Sequence, residues 1–246
     1  MFTGIIEAVG EISQLHNNGS DIRLTVQCHD LDMTDVALGD SIATNGVCLT
    51  VVEFGDNYYC ADVSQETIKY TGFSDYSTGA KVNLEKAMLP TSRFGGHIVS
   101  GHVDGVGHVT KIIDQQKYIE VWVHMPPEIR HYIAHKGSIT VDGVSLTVNE
   151  ITEDEFMLWL IPHTLEKTVI STYKVGTRVN LEVDVIARYL ERLMQGGHGA
   201  NNQAPHLQAK TKPASGRPAR PQANAKPQIE KQKPSHARAP RKLGTA

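Results

Sequence analysis

The sequence feature that most limits the fold is an internal repeat. A shift of 97 residues aligns SIATNGVCLTVVE, at residues 41–53, with SITVDGVSLTVNE, at residues 138–150, and eight of these 13 positions are identical. The same shift aligns two copies of VNLE, at residues 82–85 and 179–182. Because the offset stays constant, we infer a duplicated unit of about 90 residues with no net insertion between the copies. Residues that are 97 positions apart are called twins below.

The local pattern inside each copy is that of β-structure. Val, Ile, Thr and aromatic residues alternate with polar ones in runs such as DIRLTVQ, NYYCADV, YIEVWVHM and FMLWLI. This alternation predicts half-buried strands. Asn45-Gly46 and its twin Asp142-Gly143 predict tight reversals, because these residues tolerate positive φ. Repeated short strands predict a mainly β chain of two small closed barrels or sandwiches. A short helix is expected before each core strand, at residues 125–134 in the second copy.

Composition and periodicity indicate where the units end. KAMLPTSRFGG, at residues 86–96, reads as a linker, so the two units are expected at residues 1–96 and 97–184. Apolar residues then recur at helical spacing, which predicts a helix over residues 185–196 that either covers the second barrel or packs against other subunits. The residues that define this spacing are Ile186, Tyr189, Leu190 and Leu193. Residues 197–246 are rich in Pro, Ala, Gln, Lys and Arg and are expected to form a disordered basic tail.

The charge of the chain is divided unevenly. From Gly197 onward, six Lys and four Arg face the single acid Glu230, a formal charge of +9, while residues 1–196 carry −12. The acidic body argues against a nucleic-acid-binding protein, and polyanion binding by the tail is weighed against a tail that only aids solubility. Three cysteines without a CxxC motif favour a reducing compartment. MFTGIIEAVGEIS lacks the basic start of a signal peptide, and no apolar run has the length of a membrane span, so a cytoplasmic protein without a membrane partner is expected.

Five motifs in order carry a resemblance to a known family. MFTGI, NGVCLTV, GGHIVSGHVDG, GVSLTV and IPHTLEKT resemble the riboflavin synthases of the α-subunit type, over residues 1–194. The resemblance implies two tandem six-stranded Greek-key β-barrels, each binding one molecule of 6,7-dimethyl-8-ribityllumazine. It also implies a transferase that moves a four-carbon unit between two lumazines, giving riboflavin and 5-amino-6-ribitylaminouracil in the last step of riboflavin biosynthesis.

The resemblance also implies partners and an assembly. Family members are homotrimers held partly by their C-terminal helices, and catalysis occurs where the N-terminal barrel of one subunit faces the C-terminal barrel of a neighbour. An association with lumazine synthase is left open. No redox cofactor is expected, because one lumazine is the oxidant of the other. No metal is expected either, because His97 and His102 would lie on opposite faces of a strand and no third ligand follows a known pattern.

The site residues are carried over position by position. The resemblance places the chemistry at His102, Cys48, Ser41, Ser145, Thr147 and Asp184. Substrate contacts are expected in the N-terminal site from Phe2, Thr3, Gly4, Ile5, Ile6, Cys48, Leu49, Thr50, Asp62, Val63, Ser64 and Thr67. In the C-terminal site they are expected from Gly101, His102, Val103, Lys136, Ser145, Leu146, Thr147, Ile161, Pro162 and Thr164.

Some of these residues also have a reading from residue chemistry alone. The twin of His102 is Ile5, so the repeated fold does not require the imidazole, which could move protons near neutral pH or be an ordinary strand histidine. Cys48 and its twin Ser145 put a small nucleophile-like side chain at the same point of each copy, although a buried small residue is the plainer interpretation. Asp184 could cap the helix that follows it.

Two classes of function remain to be compared with the enzyme. A lumazine- or flavin-binding antenna protein would share the fold without catalysis, but the resemblance implies that such relatives lose the histidine of GHVDG and degrade one site. The retention of His102, Cys48, Ser145 and Thr147 favours the enzyme. A nucleic-acid-binding barrel with a basic tail is the weakest alternative, because the body is acidic and few surface aromatics are evident.

Overall fold

Two closed antiparallel barrels of six strands each make up most of residues 1–18 and 21–197, the part of the chain described by a computed structural model. The strands of the first barrel are β1 (Ala8–Asn18), β2 (Asp21–Gln27), β3 (Ser41–Thr44), β4 (Val47–Gly55), β5 (Tyr58–Val63) and β6 (Lys81–Lys86). Those of the second are β7 (Gly105–Asp114), β8 (Ile119–His124), β9 (Ser138–Val141), β10 (Val144–Ile151), β11 (Glu155–Leu160) and β12 (Arg178–Val183).

Both barrels have the same strand order, which confirms the mainly β fold predicted from the repeat. Around the first barrel the order is β1-β2-β5-β4-β3-β6, and around the second it is β7-β8-β11-β10-β9-β12. The reversals predicted at the twin dipeptides are also present. Asn45 and Gly46 have φ of 45° and 78° between β3 and β4, and Asp142 and Gly143 have φ of 46° and 81° between β9 and β10.

Three α-helices accompany the barrels in the described residues. They are α1 (Gln65–Tyr70), α2 (Pro162–Lys167) and α3 (Val185–Gly197). The predicted helix at residues 125–134 is wrong, because only a 3-10 turn forms there, at Arg130–Tyr132. The reason is local: Pro126 and Pro127 each push the preceding residue toward extended backbone, so a helix cannot start before them. Residues 198–246, where the basic tail is predicted, lie outside the described residues.

Helix α3 confirms the predicted C-terminal helix, and its apolar side chains face solvent in the isolated chain. The exposed fractions of Ile186, Tyr189, Leu190 and Leu193 are 55%, 69%, 54% and 72%. These residues therefore do not cover the second barrel. None of the helices in residues 1–18 and 21–197 has the length and apolarity needed to cross a membrane.

The two barrels meet through a reciprocal pair of asparagines. The side-chain amide of Asn83 donates to the carbonyl oxygen of Asp142 at 2.9 Å, and that of its twin Asn180 donates to the carbonyl oxygen of Asn45 at 2.9 Å. The other side-chain atom of each asparagine also crosses, because Asn83 Oδ1 accepts from Val169 N and Asn180 Oδ1 accepts from Gly72 N, both at 2.8 Å. Every polar atom of both buried amides is thus used in joining the barrels.

Two twin glycines set how closely the barrels approach. A Cβ atom added to Gly46 would lie 2.7 Å from the backbone nitrogen of Gly143, and one added to Gly143 would lie 2.7 Å from that of Gly46. A side chain on either residue would therefore separate the two barrels. The same glycines supply the positive φ of the reversals, so one residue type meets both demands.

The contact has one asymmetry, at Asn45 and its twin Asp142. Asn45 accepts from Asn83 N through Oδ1 and donates to the Tyr76 hydroxyl through Nδ2, at 2.7 and 2.8 Å. Asp142 accepts from Asn180 N through Oδ1 and from the Tyr173 hydroxyl through Oδ2, at 2.8 and 2.5 Å. Burial raises the pKa of Asp142 to about 7, although the hydrogen bonds from Tyr173 and Asn180 act to lower it.

Replacing Asp142 with asparagine should make stability less dependent on pH. The folded chain keeps the Asp142 proton up to about pH 7, whereas an unfolded aspartate releases its proton near pH 4. The contribution of this proton to stability is therefore complete below about pH 4 and is lost as the pH rises toward 7. We expect Asp142→Asn to raise the unfolding free energy by about 1–3 kcal/mol at pH 8 and to change it little at pH 4.5.

Urea unfolding across this pH range measures the effect. The matched control is Asn45→Asp, which moves the same carboxylate into the first barrel and should add a stability loss between pH 4 and 7. Parallel pH profiles for the parent and Asp142→Asn would show that Asp142 is ionised in the folded chain at neutral pH.

Candidate functional site

Residues 1–7 and their twins 98–104 form two segments that lead into the barrels and cross each other. These are called the first and second leading segments. Phe2 N donates to the carbonyl oxygen of Val99 at 2.8 Å, and Val99 N donates back to Phe2 at 3.1 Å. Phe2 and Val99 are twins and are almost completely buried. The crossing point thus lies on the approximate twofold axis that relates the two copies.

A glutamate from each barrel binds its own leading segment. Glu85, on β6, accepts hydrogen bonds from the backbone and hydroxyl of Thr3 at 2.7 and 2.8 Å and from Gly4 N at 2.9 Å. Its twin Glu182 accepts equivalent bonds from Ser100 and Gly101. Burial raises the pKa of Glu85, although the hydrogen bonds from Thr3 and Gly4 oppose this. Both carboxylates fix backbone that has no strand partner of its own.

Each leading segment then contacts the opposite barrel. Gly4 accepts from Ser145 N, on β10, at 2.8 Å, and Gly101 accepts from Cys48 N, on β4, at 2.9 Å. Both glycines have positive φ, and a Cβ on Gly4 would lie 2.6 Å from Ser145 Cβ. Only glycine fits this approach.

This exchange alters the grouping expected from the sequence. Gly4, Ile5 and Ile6 were expected beside Leu49, but Ile6 packs against the core of the second barrel. Val103 likewise packs against the core of the first barrel. The leading segments precede their own barrels in the chain but line the barrel of the other copy, so assigning them by sequence order was wrong.

The structure thus assembles two groups of predicted site residues. The first contains Cys48, Leu49 and Thr50 of β4, Asp62 and Val63 of β5, Ser64, Thr67 of α1, and Gly101, His102 and Val103 of the second leading segment. The second contains Ser145, Leu146 and Thr147 of β10, Ile161, Pro162 and Thr164 at α2, and Gly4 and Ile6 of the first leading segment. Ile5 instead borders a cavity beside the first barrel, together with Glu7, Glu85 and Lys86. Phe2 and Thr3 lie at the crossing, and Ser41 pairs with Thr50 across β3 and β4.

Both groups present polar atoms at an open surface. Thr50 and its twin Thr147 are exposed, and Ile161 is 56% exposed. Ser64 caps α1, since its hydroxyl accepts from Thr67 N at 3.3 Å. Such surfaces can hold a flat polar ring system only if something covers them from outside.

Two predicted site residues have side-chain partners that the sequence did not settle, and the side chain of a third is exposed. Asp62 forms a bidentate ion pair with Arg23, with both N–O distances 2.7 Å. Asp184 accepts from Ile186 N at 3.0 Å, which is the helix-capping role. The side chain of His102 is exposed, while its backbone lies between the anchored residues Gly101 and Asp104.

His97 is a site residue that sequence reasoning considered only as a metal ligand. Its Nδ1 lies 2.7 Å from the Ser145 hydroxyl, and its Nε2 is buried without a hydrogen-bond partner in the described part of the chain. Burial lowers the pKa of His97, while the charges of Asp184 and Glu182 act to raise it. A neutral ring here can exchange a proton with the Ser145 hydroxyl. The signal in the sequence is Gly96, where a Cβ would lie 2.1 Å from the Thr3 carbonyl oxygen.

Comparison with known proteins agrees with this architecture. The lumazine binding domain model matches twice, at residues 3–87 and 100–184. Riboflavin synthase of Photobacterium phosphoreum is 57% identical over 194 residues, which cover 79% of this chain and 89% of that protein. Riboflavin synthase of Bacillus subtilis (strain 168) is 46% identical over 201 residues, or 82% and 92% of the two chains. The chain belongs to the riboflavin synthase family.

A solved structure shows the same fold in a bound state. The crystal structure of LumP complexed with riboflavin superposes with a TM-score of 0.70 at 27% identity, and the match covers 74% of this chain and 99% of LumP. A second LumP structure, complexed with 6,7-dimethyl-8-(1'-D-ribityl) lumazine, gives a TM-score of 0.68. Members of this riboflavin synthase family and LumP therefore share the double barrel described above.

Within residues 1–18 and 21–197, no three His, Cys, Asp or Glu side chains are grouped so that they could hold a metal ion.

The predicted substrate residue Lys136 has an unusual backbone conformation. Its φ is +63°, and its twin Gly39 has φ of +91°. The backbone amides of both residues make equivalent hydrogen bonds: Lys136 N donates to the carbonyl oxygen of Val148 on β10, and Gly39 N donates to that of Val51 on β4. A lysine in this backbone region is strained, whereas glycine is not.

The Lys136 side chain extends toward an aromatic surface on the second barrel. Its Nζ lies 5.9 Å from the centre of the Trp159 ring, which also packs against Tyr118 at a centroid distance of 5.1 Å. The first barrel has Asp62 in place of Trp159 and Gly39 in place of Lys136. The contact of Lys136 with Trp159 therefore has no counterpart at the twin positions of the first barrel.

Lys136→Gly should stabilise the fold, because it relieves the backbone strain that its twin does not have. We expect the unfolding free energy to rise by about 1 kcal/mol, measured by urea denaturation at constant pH. Gly39→Lys is the matched control: a Cβ at Gly39 would have no atom within 4 Å, so the change tests the backbone alone. This control should lose about 1 kcal/mol. A loss of stability in Lys136→Gly would mean that the Trp159 contact outweighs the strain.

Proposed function

We propose that this chain is a riboflavin synthase. It would convert two molecules of 6,7-dimethyl-8-ribityllumazine into riboflavin and 5-amino-6-ribitylaminouracil, the last step of riboflavin biosynthesis, as a transferase of a four-carbon unit. The observation that carries the proposal is the 57% identity to the Photobacterium phosphoreum riboflavin synthase across both lumazine binding domains. The duplicated barrels suit a reaction that consumes two copies of one substrate.

The two residue groups supply what each substrate molecule needs. In the proposal, Thr50 and Ser64 of the first group and Thr147 and Ile161 of the second bind the polar edges of the two ring systems through hydroxyls and backbone. Lys136 adds a cation to the second group alone, so the two sites differ in charge. Such fixed donors and acceptors orient the rings, and orientation is the main demand of a reaction between two large molecules.

Two proton-transfer sites are proposed, one in each group. In the first group, His102 follows the anchored Gly101 and has an exposed side chain. Its imidazole can take a proton from the acidic methyl group on C7 of one lumazine. The Cys48 thiol, partly exposed on β4, assists addition at C7 of the other lumazine or binds it. In the second group, the Ser145 hydroxyl and His97 can pass a proton between them, and Asp184 contributes charge nearby. Ser41 supports Thr50 from β3.

The atoms balance without an outside oxidant. The donor lumazine gives up four carbons and keeps the amino groups of the product uracil. The acceptor gains those four carbons, which close the new aromatic ring of riboflavin together with C6, C7 and the two methyl carbons of the acceptor itself. One molecule is oxidised as the other is reduced. The chain therefore needs only to bind, orient and move protons, and no redox cofactor enters the proposal.

We further propose that the active site forms between subunits of a homotrimer. The exposed groups around Thr50 and Thr147 point to a cover supplied by another subunit. Helix α3, proposed as the trimerisation helix over residues 185–196, borders a groove of about 680 Å³ that is lined by His131, Tyr132, Ala187, Leu190, Glu191, Met194 and Gln195. The domain limits at residues 96 and 184 remain part of this proposal.

We also propose a cytoplasmic location and an association with a second enzyme. The free cysteines Cys28, Cys48 and Cys60 support a reducing environment and hence the cytoplasm. An association with lumazine synthase would bring the enzyme to the source of its substrate. The second candidate function is that of a non-catalytic lumazine- or flavin-binding protein, which the likeness to LumP favours.

Turnover separates the two candidates. Purified full-length protein incubated with 6,7-dimethyl-8-ribityllumazine should form one riboflavin for every two lumazines consumed, followed by absorbance. His102→Ala should lower kcat by about 100- to 10,000-fold and change the dissociation constant of lumazine far less, because general acid–base catalysis acts in the transition state. His108→Ala, on the outer face of β7, is the control and should keep full activity. If the parent protein binds lumazine tightly but does not convert it, the enzyme proposal is wrong and the non-catalytic binding protein is the better candidate.

Assembly is tested separately. Light scattering should give the mass of three chains for the parent protein. Leu193→Glu places a charge on the exposed apolar face of α3 and should yield monomers with little activity, because a buried unpaired charge opposes association. Lys174→Glu, far from the helix in sequence, should stay trimeric. A fully active monomer would contradict the shared site.

A further inference from the structure

Arg188 connects helix α3 to the loop that carries His102. Its Nη2 donates to the carbonyl oxygen of His102 at 3.0 Å and lies 2.5 Å from Asp104 Oδ2. The side chains of Arg188 and Asp104 are only 29% and 17% exposed. Solvent therefore screens this ion pair less than it screens a surface pair. The single nitrogen Nη2 donates to both acceptors, while Arg188 Nε is buried without a hydrogen-bond partner among the described residues.

The other hydrogen bonds of this loop within the described residues come from the barrels. Cys48 N donates to the Gly101 carbonyl, and Glu182 accepts from Gly101 N. On the far side of His102, Val183 N donates to Asp104 Oδ2 at 2.8 Å, and Asp104 N donates to the carbonyl of Leu181. Each of these contacts holds a neighbour of His102. Only the Arg188 bond, among those of the described residues, reaches the His102 backbone itself.

Helix α3 also has an uncovered apolar face. Ile186, Tyr189 and Leu193, all more than half exposed, need a partner surface. The helix is held to its own barrel at two places, by Arg188 on Asp104 and by Glu191 on the Tyr132 hydroxyl. A change in how the helix lies would therefore be felt at Asp104 and at the His102 carbonyl.

We propose that Arg188 is a positioning residue that couples the seating of helix α3 to the placement of His102. The inference rests on the proposed function, because it gives His102 a role in proton transfer. The physical link is short. The bond to the His102 carbonyl fixes the peptide plane after His102, and the direction of the imidazole follows from the backbone on which it stands. Docking of helix α3 in the assembly then also sets the geometry of the site.

The test compares three variants of the full-length protein in the lumazine assay. Arg188→Ala should lower kcat about 10- to 100-fold, the size of effect expected for a displacement of about 1 Å. The dissociation constant of lumazine should change less than about threefold, and the trimer mass should stay the same. Arg188→Lys should recover part of the rate, because an ammonium can donate to both acceptors but lacks the planar guanidinium that fixes the direction of the two bonds. Arg192→Ala, an exposed arginine on the same helix, is the control and should match the parent.

Added guanidinium ion gives a further readout. It should restore part of the activity of Arg188→Ala and leave Arg192→Ala unchanged, because it can occupy the vacated place beside Asp104. Equal losses in kcat and lumazine binding would make Arg188 a binding or folding residue and overturn the proposal. A fall to monomer mass would do the same by assigning Arg188 to assembly.

A measurement without turnover separates this inference from the proposed function. The NMR signal of the His102 ring should shift in Arg188→Ala and not in Arg192→Ala. If the parent protein makes no riboflavin but the signal moves, the proposed function fails and the positioning role stands. If the parent is active and Arg188→Ala is equally active with an unmoved signal, the positioning role fails and the proposed function stands.

Discussion

The arrangement of this protein depends on two asparagine side chains. Asn83 and Asn180 each use both the donor and the acceptor of their amide to hold the opposite barrel, at distances of 2.8–2.9 Å. Because these atoms are buried, each lost bond would leave an unpaired polar group, which costs more than the bond itself contributes. The amides thus fix one orientation of the barrels, and the contact of Gly46 with Gly143 fixes their separation.

That orientation makes the crossing of the leading segments possible. Phe2 and Val99 can pair only if the barrels face each other about a twofold axis, and the pairing carries Gly4 to Ser145 and Gly101 to Cys48. Each candidate site is therefore made from both halves of the chain. The catalytic and binding roles proposed for these residues depend on contacts far from the reacting atoms, at Glu85 and Glu182 as much as at the asparagines.

The repeat and the alternation of apolar and polar residues were sufficient to predict two similar β units, barrels or sandwiches, because similar sequences at a constant offset have similar strands and turns. The choice of six-stranded barrels came from the family resemblance. The turns at Asn45 and Asp142 were predictable from residue type alone, and so was helix α3 from its spacing. The exchange of the leading segments was not. Residues 1–7 have no periodicity, and their partners are set by backbone contacts, such as that of Gly4 with Ser145, between segments that are far apart in sequence. His97 was undervalued for a related reason: its partner, Ser145, is distant in sequence and its burial follows from the crossing.

The crossing has a consequence for how such a chain could arise. In a single copy of the repeat, the carbonyl oxygen of the leading-segment glycine would lack its donor, and the backbone amide at Cys48 or Ser145 would lack its acceptor, because both bonds are made with the other copy. Two identical copies meeting about a twofold axis would satisfy both needs, since Gly4 and Cys48 occupy the places that Gly101 and Ser145 occupy in the other half. Fusion of two such copies into one gene would keep every contact while freeing the halves to diverge. The halves have diverged at three pairs of twins, which are Lys136 and Gly39, Asp142 and Asn45, and His102 and Ile5.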